Sequence, residues 1–255
     1  MTPRYLYTSE VAKAVGVHPN TVRLYEEWGF LPPVPRSPGG YRRFTAEHLD
    51  QMRLARTALH GVWPGRNIRR SALALVQRAA SGDLGGALEQ AYTHLALVQA
   101  ERAQAGTAAE FLERWARGSA ADATAEPLRI GETARLLGVT TDMLRNWERN
   151  GLLTVPRDPH NHYRLYGAAE ISRLRVIRTL LRAGYSTMAI LRMLLQFDRG
   201  QRDGLRQALD TPPPDEDILS AADRWLSTLA EQEQRAMQMI ALLEEMLRRR
   251  RGQSC

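Results

Sequence analysis

The chain has 255 residues, of which 35 are Lys or Arg and 28 are Asp or Glu, giving a net charge of +7. With 44% hydrophobic and 25% charged residues, the composition excludes a membrane protein and a chain that is disordered throughout. The single cysteine, Cys255, excludes a disulfide framework and a multi-cysteine metal site. The basic charge indicates a polyanionic partner, either nucleic acid or an anionic membrane surface. Because the N-terminus shows no signal-peptide segment, we expect a cytoplasmic protein.

An internal repeat organises the chain. A shift of 122 positions superimposes residues 9–63 on 131–185 without a gap and with fifteen identities. Two copies of one module are the simplest explanation. The predicted organisation is a first module at 1–80, a helix and linker at 81–127, a second module at 128–200 and a C-terminal coiled-coil helix at 201–255.

The first copy begins with two short helices and a tight turn. Thr8 or Ser9 is expected to cap a first helix that ends at Gly16. Pro19 is suited to the first position of a second helix, predicted over residues 20–28. Two short helices joined by a turn that contains glycine indicate a helix-turn-helix.

The second copy repeats this pattern, with helices predicted at 130–137 and 141–150 and Thr140 as the cap between them. In both copies a stretch rich in proline and turn residues follows, at 31–44 and 153–166. Short extended pieces separated by such residues predict a hairpin wing rather than a helix. The fold class is therefore mainly α, with two winged helix-turn-helix modules.

Longer helices are expected after each wing. Amphipathic helices are predicted at 45–59 and 167–181, a further helix at 186–197, and a long helix at 87–117. Residues 118–127 have the composition of a flexible linker, and 198–214 of a second loose stretch. A coiled-coil seam with one polar position is formed by Ile218, Ala222, Trp225, Leu229, Gln232, Ala236, Met239, Leu243 and Met246.

Several of these segments resemble the MerR family of transcription regulators in order and spacing. They are Thr21–Glu26, Gly29–Leu31 and Gly39–Phe44 in the first copy, and Leu144–Glu148, Gly151–Leu153, Tyr163–Tyr166 and Gly184–Ser186 in the second. The second copy departs from the family where Pro159–His162 replaces the wing glycines. In the family a long helix follows each module, and two such helices pair antiparallel. The resemblance therefore implies that helix 87–117 pairs with the C-terminal helix of the same chain as a pseudo-dimer, while homodimerisation through the C-terminal helix stays open.

The residues expected to contact DNA lie on the second short helix and on the wing of each copy. A recognition helix presents side chains near its N-terminus to base edges in the major groove. Those side chains are His18, Asn20, Thr21 and Arg23 in the first copy, and Thr140, Thr141, Asp142 and Arg145 in the second. Phosphate contacts are expected from the wing residues Tyr41, Arg42, Arg43, Tyr163 and Arg164.

For two aromatic side chains and two carboxylates of these helices, we expect roles other than contact with base edges. Tyr25 and Trp147 are predicted either to reach the DNA backbone or to pack inside the module. Glu26 and Glu148 are poor ligands for DNA, and we expect them to pair with arginines of their own module.

Charge is distributed unevenly along the chain. Residues 1–80 carry a net +7 and residues 128–200 a net +6, whereas 81–127 carry −4 and 201–255 carry −2. The basic charge therefore falls on the two repeated modules, as neutralisation of phosphates requires. A basic amphipathic helix with an aromatic face, which a membrane surface would favour, is not found.

No sequence pattern supports an enzyme or a cofactor. Phosphate-binding glycine loops and nucleophile elbows are missing, and His160 with His162 lacks the further ligands that a metal site needs. The prediction is a sequence-specific transcription regulator, which by resemblance distorts promoter DNA so that RNA polymerase engages it. Two alternatives stay open: an architectural or excisionase-like DNA-binding protein, and a protein in which one module binds another protein.

Overall fold

The structure is a computed structural model, and it describes residues 5–61, 65–118, 126–212 and 221–253. Over these residues the chain is mainly helical, and its extended backbone is limited to isolated bridges, as the sequence predicts. The chain divides into two compact units, one of Met1–Ala100 with Leu229–Cys255 and the other of Glu101–Thr228. Both divisions fall inside long helices, so these units differ from the consecutive segments expected from the sequence.

The first module begins with α1 (Thr8–Val15) and α2 (Pro19–Glu27). The cap of α1 is Tyr7 rather than Thr8 or Ser9, because the Glu10 carboxylate accepts the Tyr7 backbone N–H at 2.7 Å. A carboxylate in the first turn satisfies an N–H that the helix leaves unpaired. Gly16 ends α1 with φ 65°, a left-handed conformation that glycine adopts without a steric cost.

A short hairpin and two further helices complete this module. Isolated antiparallel bridges join Arg36 to Arg42 within the wing and Leu6 to Phe44 at its base. α3 (Ala46–Leu59) begins one residue after its predicted start, with Thr45 as its N-cap. α4 (Gly65–Ala80) is a helix that the sequence pattern does not single out.

The long helix α5 (Leu84–Ala116) begins three residues before its predicted start. Two glycines near its N-terminus argue against a helix there, but the Asp83 carboxylate accepts the Gly86 N–H at 2.9 Å and caps the first turn. The segment then continues without a break to Ala116, one residue before the expected end.

The second module repeats the order of the first. It consists of α6 (Ile130–Leu137), α7 (Thr141–Arg149), a wing, α8 (Ala168–Arg182) and α9 (Thr187–Asp198). Bridges join Leu128 to Tyr166 and Arg157 to Arg164. Gly184, before α9, has φ 94°, and the indole of Trp225 lies 2.7 Å from the place where a Cβ would be, so this position requires glycine on two counts.

The prediction that residues 198–214 form a loose stretch is wrong in part, because α10 spans Leu205–Asp210. Leu205 and Leu209 of this helix are buried. Arg192 of α9 donates its Nε hydrogen to the Ala208 carbonyl at 2.6 Å. A six-residue helix is marginal by itself, and here a neighbouring side chain supplies the donor that its C-terminal carbonyls lack.

After a short 3₁₀ helix (Ala221–Arg224), α11 spans Trp225–Gln253. Within the first unit α5 and α11 run antiparallel, since Tyr92 donates to Glu244 at 3.1 Å and Gln99 donates to Glu233 at 3.0 Å. The seam residues Leu229, Gln232, Ala236, Met239 and Leu243 are buried as predicted, whereas Ile218 lies outside the described residues. Ala236, Met239 and Leu243 belong to the hydrophobic core of the first module, together with Ala87 and Ala91 of α5.

Candidate DNA interface

The N-terminus of α2 exposes the side chains that the sequence assigns to the major groove. His18 is the N-cap, and its Nδ1 accepts the Asn20 backbone N–H at 3.2 Å. Arg23 is exposed and donates to the Asn20 side-chain oxygen at 3.1 Å, while Thr21 is half-buried. The hydrogen bond holds the guanidinium over the first turn of the helix, where a recognition helix contacts base edges.

α7 reproduces this arrangement with different chemistry. Thr140 is the N-cap and accepts the Met143 N–H at 3.1 Å. Arg145, at the position equivalent to Arg23, donates to Asp142 at 2.8 Å. Thr141 is half-buried beside them. The partner of Arg145 is thus a carboxylate, which partly neutralises the guanidinium, whereas the partner of Arg23 is a neutral amide.

Tyr25 and Trp147 pack inside their modules, which is one of the two alternatives that the sequence leaves open for them. Their exposed fractions are only 6% and 4%. The Tyr25 ring meets Phe30 edge-on at a centroid distance of 5.7 Å. Burial raises the pKa of Tyr25, and the nearby Arg56 opposes this shift. Both rings therefore anchor the recognition helix to the core instead of lying on its exposed face.

Glu26 and Glu148 pair with arginines of their own modules, as predicted. Arg42 donates its Nε hydrogen to Glu26 at 2.5 Å, and Arg164 donates to Glu148 at 2.6 Å. Each glutamate lies on the recognition helix and each arginine on the wing. Arg42 and Arg164 are thus half-buried links between the two elements, and they do not lie at the wing tips where the sequence places them.

The exposed tips of the wings belong to the tyrosines. Tyr41 is 71% exposed and Tyr163 is 59% exposed. Arg43 stacks on the ring of Tyr5 with its guanidinium carbon 5.1 Å from the centroid, and Arg129 lies 5.2 Å from the centroid of Tyr163. Tyr5 and Arg129 were not among the predicted contacts; their only signal in the sequence is a position just before the first helix of each copy.

The two wings differ by a one-residue slip that the gapless repeat conceals. Arg36 bridges to Arg42, but the residue that bridges to Arg164 is Arg157, one position earlier in the repeat than the counterpart of Arg36. The second hairpin loop is longer by one residue as a result. Arg157 thereby comes to lie 3.9 Å from Glu148, which corresponds to the 2.8 Å contact of Arg36 with Glu26.

The longer loop of the second wing is held by side chains instead of glycines. Asp158 accepts the His160 N–H at 2.8 Å, and Asn161 accepts the Tyr163 N–H at 2.9 Å. His162 has φ 59°, the left-handed conformation of Gly40 at the equivalent position of the first copy. The departure of Pro159–His162 from the family pattern therefore keeps the turn but adds backbone strain.

Two negative findings concern the described parts of the chain. No group of three His, Cys, Asp or Glu side chains there is arranged to hold a metal ion. None of the helices in these parts is both long and apolar enough to cross a membrane.

Two modules with a helix-turn-helix, a wing and an exposed arginine on the recognition helix define the class: a tandem winged helix-turn-helix protein. Residues 7–44 match the model of the MerR family regulatory proteins, and residues 128–196 match that of the MerR HTH family regulatory proteins. The chain therefore carries two MerR-type modules, one matched by each model.

Relatives of known function agree with this family. A mercuric resistance operon regulatory protein of Serratia marcescens is 37% identical over 75 residues, which are 29% of this chain and 51% of the relative. The HTH-type transcriptional regulator CueR of Escherichia coli O157:H7 is 44% identical over 50 residues, 20% of this chain and 37% of the relative. The chain thus spans about half the length, or less, of these curated relatives. No solved structure matches the chain.

Proposed function

We propose that the protein is a sequence-specific, DNA-binding transcription regulator that uses both modules. One observation, made in both modules, carries this proposal. In each recognition helix an exposed arginine, Arg23 or Arg145, donates a hydrogen bond to a polar side chain of the first turn. Each arginine is flanked by a capped helix start and by a wing with an exposed tyrosine. Such a surface suits a base edge at its centre and phosphates at its sides.

The two modules are not equivalent, and this bears on the shape of the DNA site. The first recognition helix offers His18, Asn20 and Arg23, whereas the second offers Thr140, Asp142 and Arg145. Different side chains select different bases. We therefore propose a bipartite site whose two halves differ in sequence, unlike the palindrome that a symmetric homodimer reads.

The family resemblance supports a mechanism in which bound protein distorts the promoter so that RNA polymerase engages it. On this proposal the pairing of α5 with α11 takes the place of the family's dimer helix pair, and the protein acts at the nucleoid of the cytoplasm without catalysing a reaction. An untwisted spacer exposes its thymines, so permanganate reactivity in the spacer measures the distortion directly. An architectural protein would instead bind many sequences with similar affinity and give no promoter-dependent transcription.

The test begins with a duplex selected from a random pool by the full-length chain. Fluorescence anisotropy at physiological salt then compares the selected duplex with a scrambled one. We expect Arg23→Ala and Arg145→Ala each to weaken specific binding about 10- to 100-fold, since one good base contact is worth roughly 1–3 kcal/mol. Arg114→Ala, at an exposed position of α5, is the control and leaves binding unchanged. Equal affinity for selected and scrambled duplexes would reject sequence specificity, and an unaffected Arg145→Ala variant would reject DNA contact by the second module.

A further inference from the structure

The second unit contains a cavity whose lining is rich in hydrogen-bond donors. Its volume is about 480 Å³, and it lies between the C-terminal half of α5 and the last two turns of α8. The lining consists of Gln104, Thr107, Ala108, Arg178, Thr179, Arg182 and Ala183. Two guanidinium groups face this space, and the described residues that line it include no carboxylate. The Thr107 hydroxyl donates to the Ala103 carbonyl, so Thr179 offers the hydroxyl that is not already engaged in this way. Such a set of groups favours a negatively charged occupant.

Among the described residues, no ion pair neutralises Arg178 or Arg182 at this cavity. Arg178 donates one terminal hydrogen to the Leu137 carbonyl, but its Nε is buried without a hydrogen-bond partner among the described residues. Burial lowers the pKa of Arg178, and the like charges of Arg182 and Arg175 lower it further. Because this Nε is closed to solvent, an anion in the cavity would meet the terminal nitrogens of Arg178 and Arg182.

The first copy deals with the equivalent place differently. Under the shift of 122 residues, Ser172, Arg175 and Arg182 correspond to Asp50, Arg53 and His60. Asp50 pairs with Arg53 at 3.1 Å, so one of the basic side chains is neutralised there. The second copy has serine at the position of this carboxylate and a second arginine at the position of the histidine. Of the two guanidinium groups at the cavity, only that of Arg182 is peculiar to the second copy, because Arg178 corresponds to Arg56.

The end of the helix shows the same contrast in packing. In the first unit the guanidinium of Arg235 donates to the His60 carbonyl and covers Gly61, where a Cβ would lie 2.5 Å from it. In the second unit the equivalent carbonyl, of Arg182, accepts from Gln104 at 3.3 Å. Glutamine is shorter and neutral, so it leaves open the space that Arg235 fills in the first unit.

We propose that this cavity is a binding site for a phosphate group, held by Arg178 and Arg182 with the hydroxyl of Thr179. A phosphate accepts hydrogen bonds in several directions, which suits several donors that face one space. The chemistry is shared by two sources: a free phosphorylated metabolite, and a phosphate of a DNA backbone. The site itself does not depend on the proposed regulatory function.

Isothermal titration of the full-length, DNA-free protein with sodium phosphate in chloride buffer tests the site. We expect saturable binding that Arg182→Gln weakens at least tenfold. Arg114→Gln, which removes the same charge from an exposed position of the same unit, leaves binding unchanged. Thr107→Glu places a carboxylate in the cavity, and we expect it to abolish phosphate binding while raising the melting temperature. Because Arg178→Gln also removes the contact with Leu137, its fold is checked by circular dichroism before titration.

A second arm separates the two sources. If free phosphate does not bind but Arg182→Gln lowers the slope of log affinity against log salt for the selected duplex by about one, the phosphate belongs to DNA. If phosphate binds and Arg182→Gln leaves that slope unchanged, the ligand is free. If Arg182→Gln changes neither measurement relative to Arg114→Gln, the proposal is wrong.

Discussion

Arg42 of the first wing donates its Nε hydrogen to Glu26 of the recognition helix at 2.5 Å. The same bond recurs between Arg164 and Glu148 at 2.6 Å in the second module. In each module the partly buried pair links the recognition helix to the wing. On the proposed function, this link explains why a helix that faces DNA carries a carboxylate, which is unfavourable for DNA by itself.

Replacing Glu26 with Gln tests this link. We expect a loss of roughly 1 kcal/mol in the free energy of unfolding of the first unit, because the pair is partly exposed and screened by solvent. Specific DNA binding also weakens, since the wing loses its link to the recognition helix. Hydrogen exchange measured by mass spectrometry locates the change in the module. Glu27→Gln removes an equal charge from an exposed neighbour and leaves stability unchanged; a similar loss in both variants would contradict the role of this link.

Tyr166 is expected to be a weak point of the second module. Its ring is fully buried, yet its hydroxyl has no hydrogen-bond partner among the described residues, and burial raises the pKa of this group. The first copy has Phe44 at the same place, also fully buried. Tyr166→Phe therefore stabilises the second unit by about 1 kcal/mol, because a buried unsatisfied hydroxyl is removed. Phe44→Tyr is the reciprocal control and destabilises the first unit in urea unfolding; stabilisation by both changes would show that the hydroxyl is not the cause.

His162 carries backbone strain that glycine would relieve. With φ 59° the residue is in a conformation that costs a side-chain-bearing residue about 1 kcal/mol or more. We expect His162→Gly to raise the unfolding free energy of the second unit by about 1 kcal/mol, less the entropy that glycine gains in the unfolded chain. Asn161→Gly, one residue earlier, is expected to destabilise because the bond to the Tyr163 N–H is lost. If thermal unfolding gave a higher melting temperature for Asn161→Gly than for His162→Gly, the conclusion that His162 is strained would be wrong.

His94 makes the first unit sensitive to acid. The side chain is buried in α5, its Nδ1 lacks a hydrogen-bond partner among the described residues, and burial lowers its pKa from 6.5 to about 4. Between these two values the unfolded chain binds a proton that the folded chain does not, so the free energy of unfolding falls as the pH falls. The loss approaches about 3 kcal/mol near pH 4 and levels off below it.

Melting temperatures recorded from pH 7 to pH 4 measure this effect. We expect His94→Leu to flatten the acid side of the profile, because the buried site no longer titrates. His160→Gln replaces an exposed histidine of the wing and keeps the slope of the original protein. An unchanged slope in His94→Leu would mean that other groups cause the acid sensitivity.

Sequence reasoning predicts most of this fold because the local signals are strong and appear twice. Gly16 and Gly138 end helices, Thr140 caps one, and the Glu26 and Glu148 pairs follow from charge alone. Repetition removes the ambiguity that any one short helix would leave.

The features that sequence reasoning misses depend on tertiary contacts or on spacing. α10 relies on a donor from Arg192, which no local pattern reveals. The one-residue difference between the wings cannot be seen in the aligned sequences. The second hairpin begins one residue earlier than the first, but its loop is one residue longer, so the alignment needs no gap. The burial of Tyr25 and Trp147 is decided by the core behind the helix, and periodicity over nine residues cannot distinguish a ring that faces the core from one that faces DNA.

The hydrogen bonds from Tyr92 to Glu244 and from Gln99 to Glu233 join two segments of one polypeptide. Pairing of this kind has no bimolecular step, so dilution does not undo it, and it does not depend on how much protein a cell makes. If one chain fills one DNA site, as proposed, occupancy of that site rises as a simple hyperbola with protein concentration, without the threshold that an assembling homodimer imposes. Because the two copies lie in one chain, they can also differ in sequence. Asp142, His162 and Tyr166 are examples of residues that the second copy carries and the first does not.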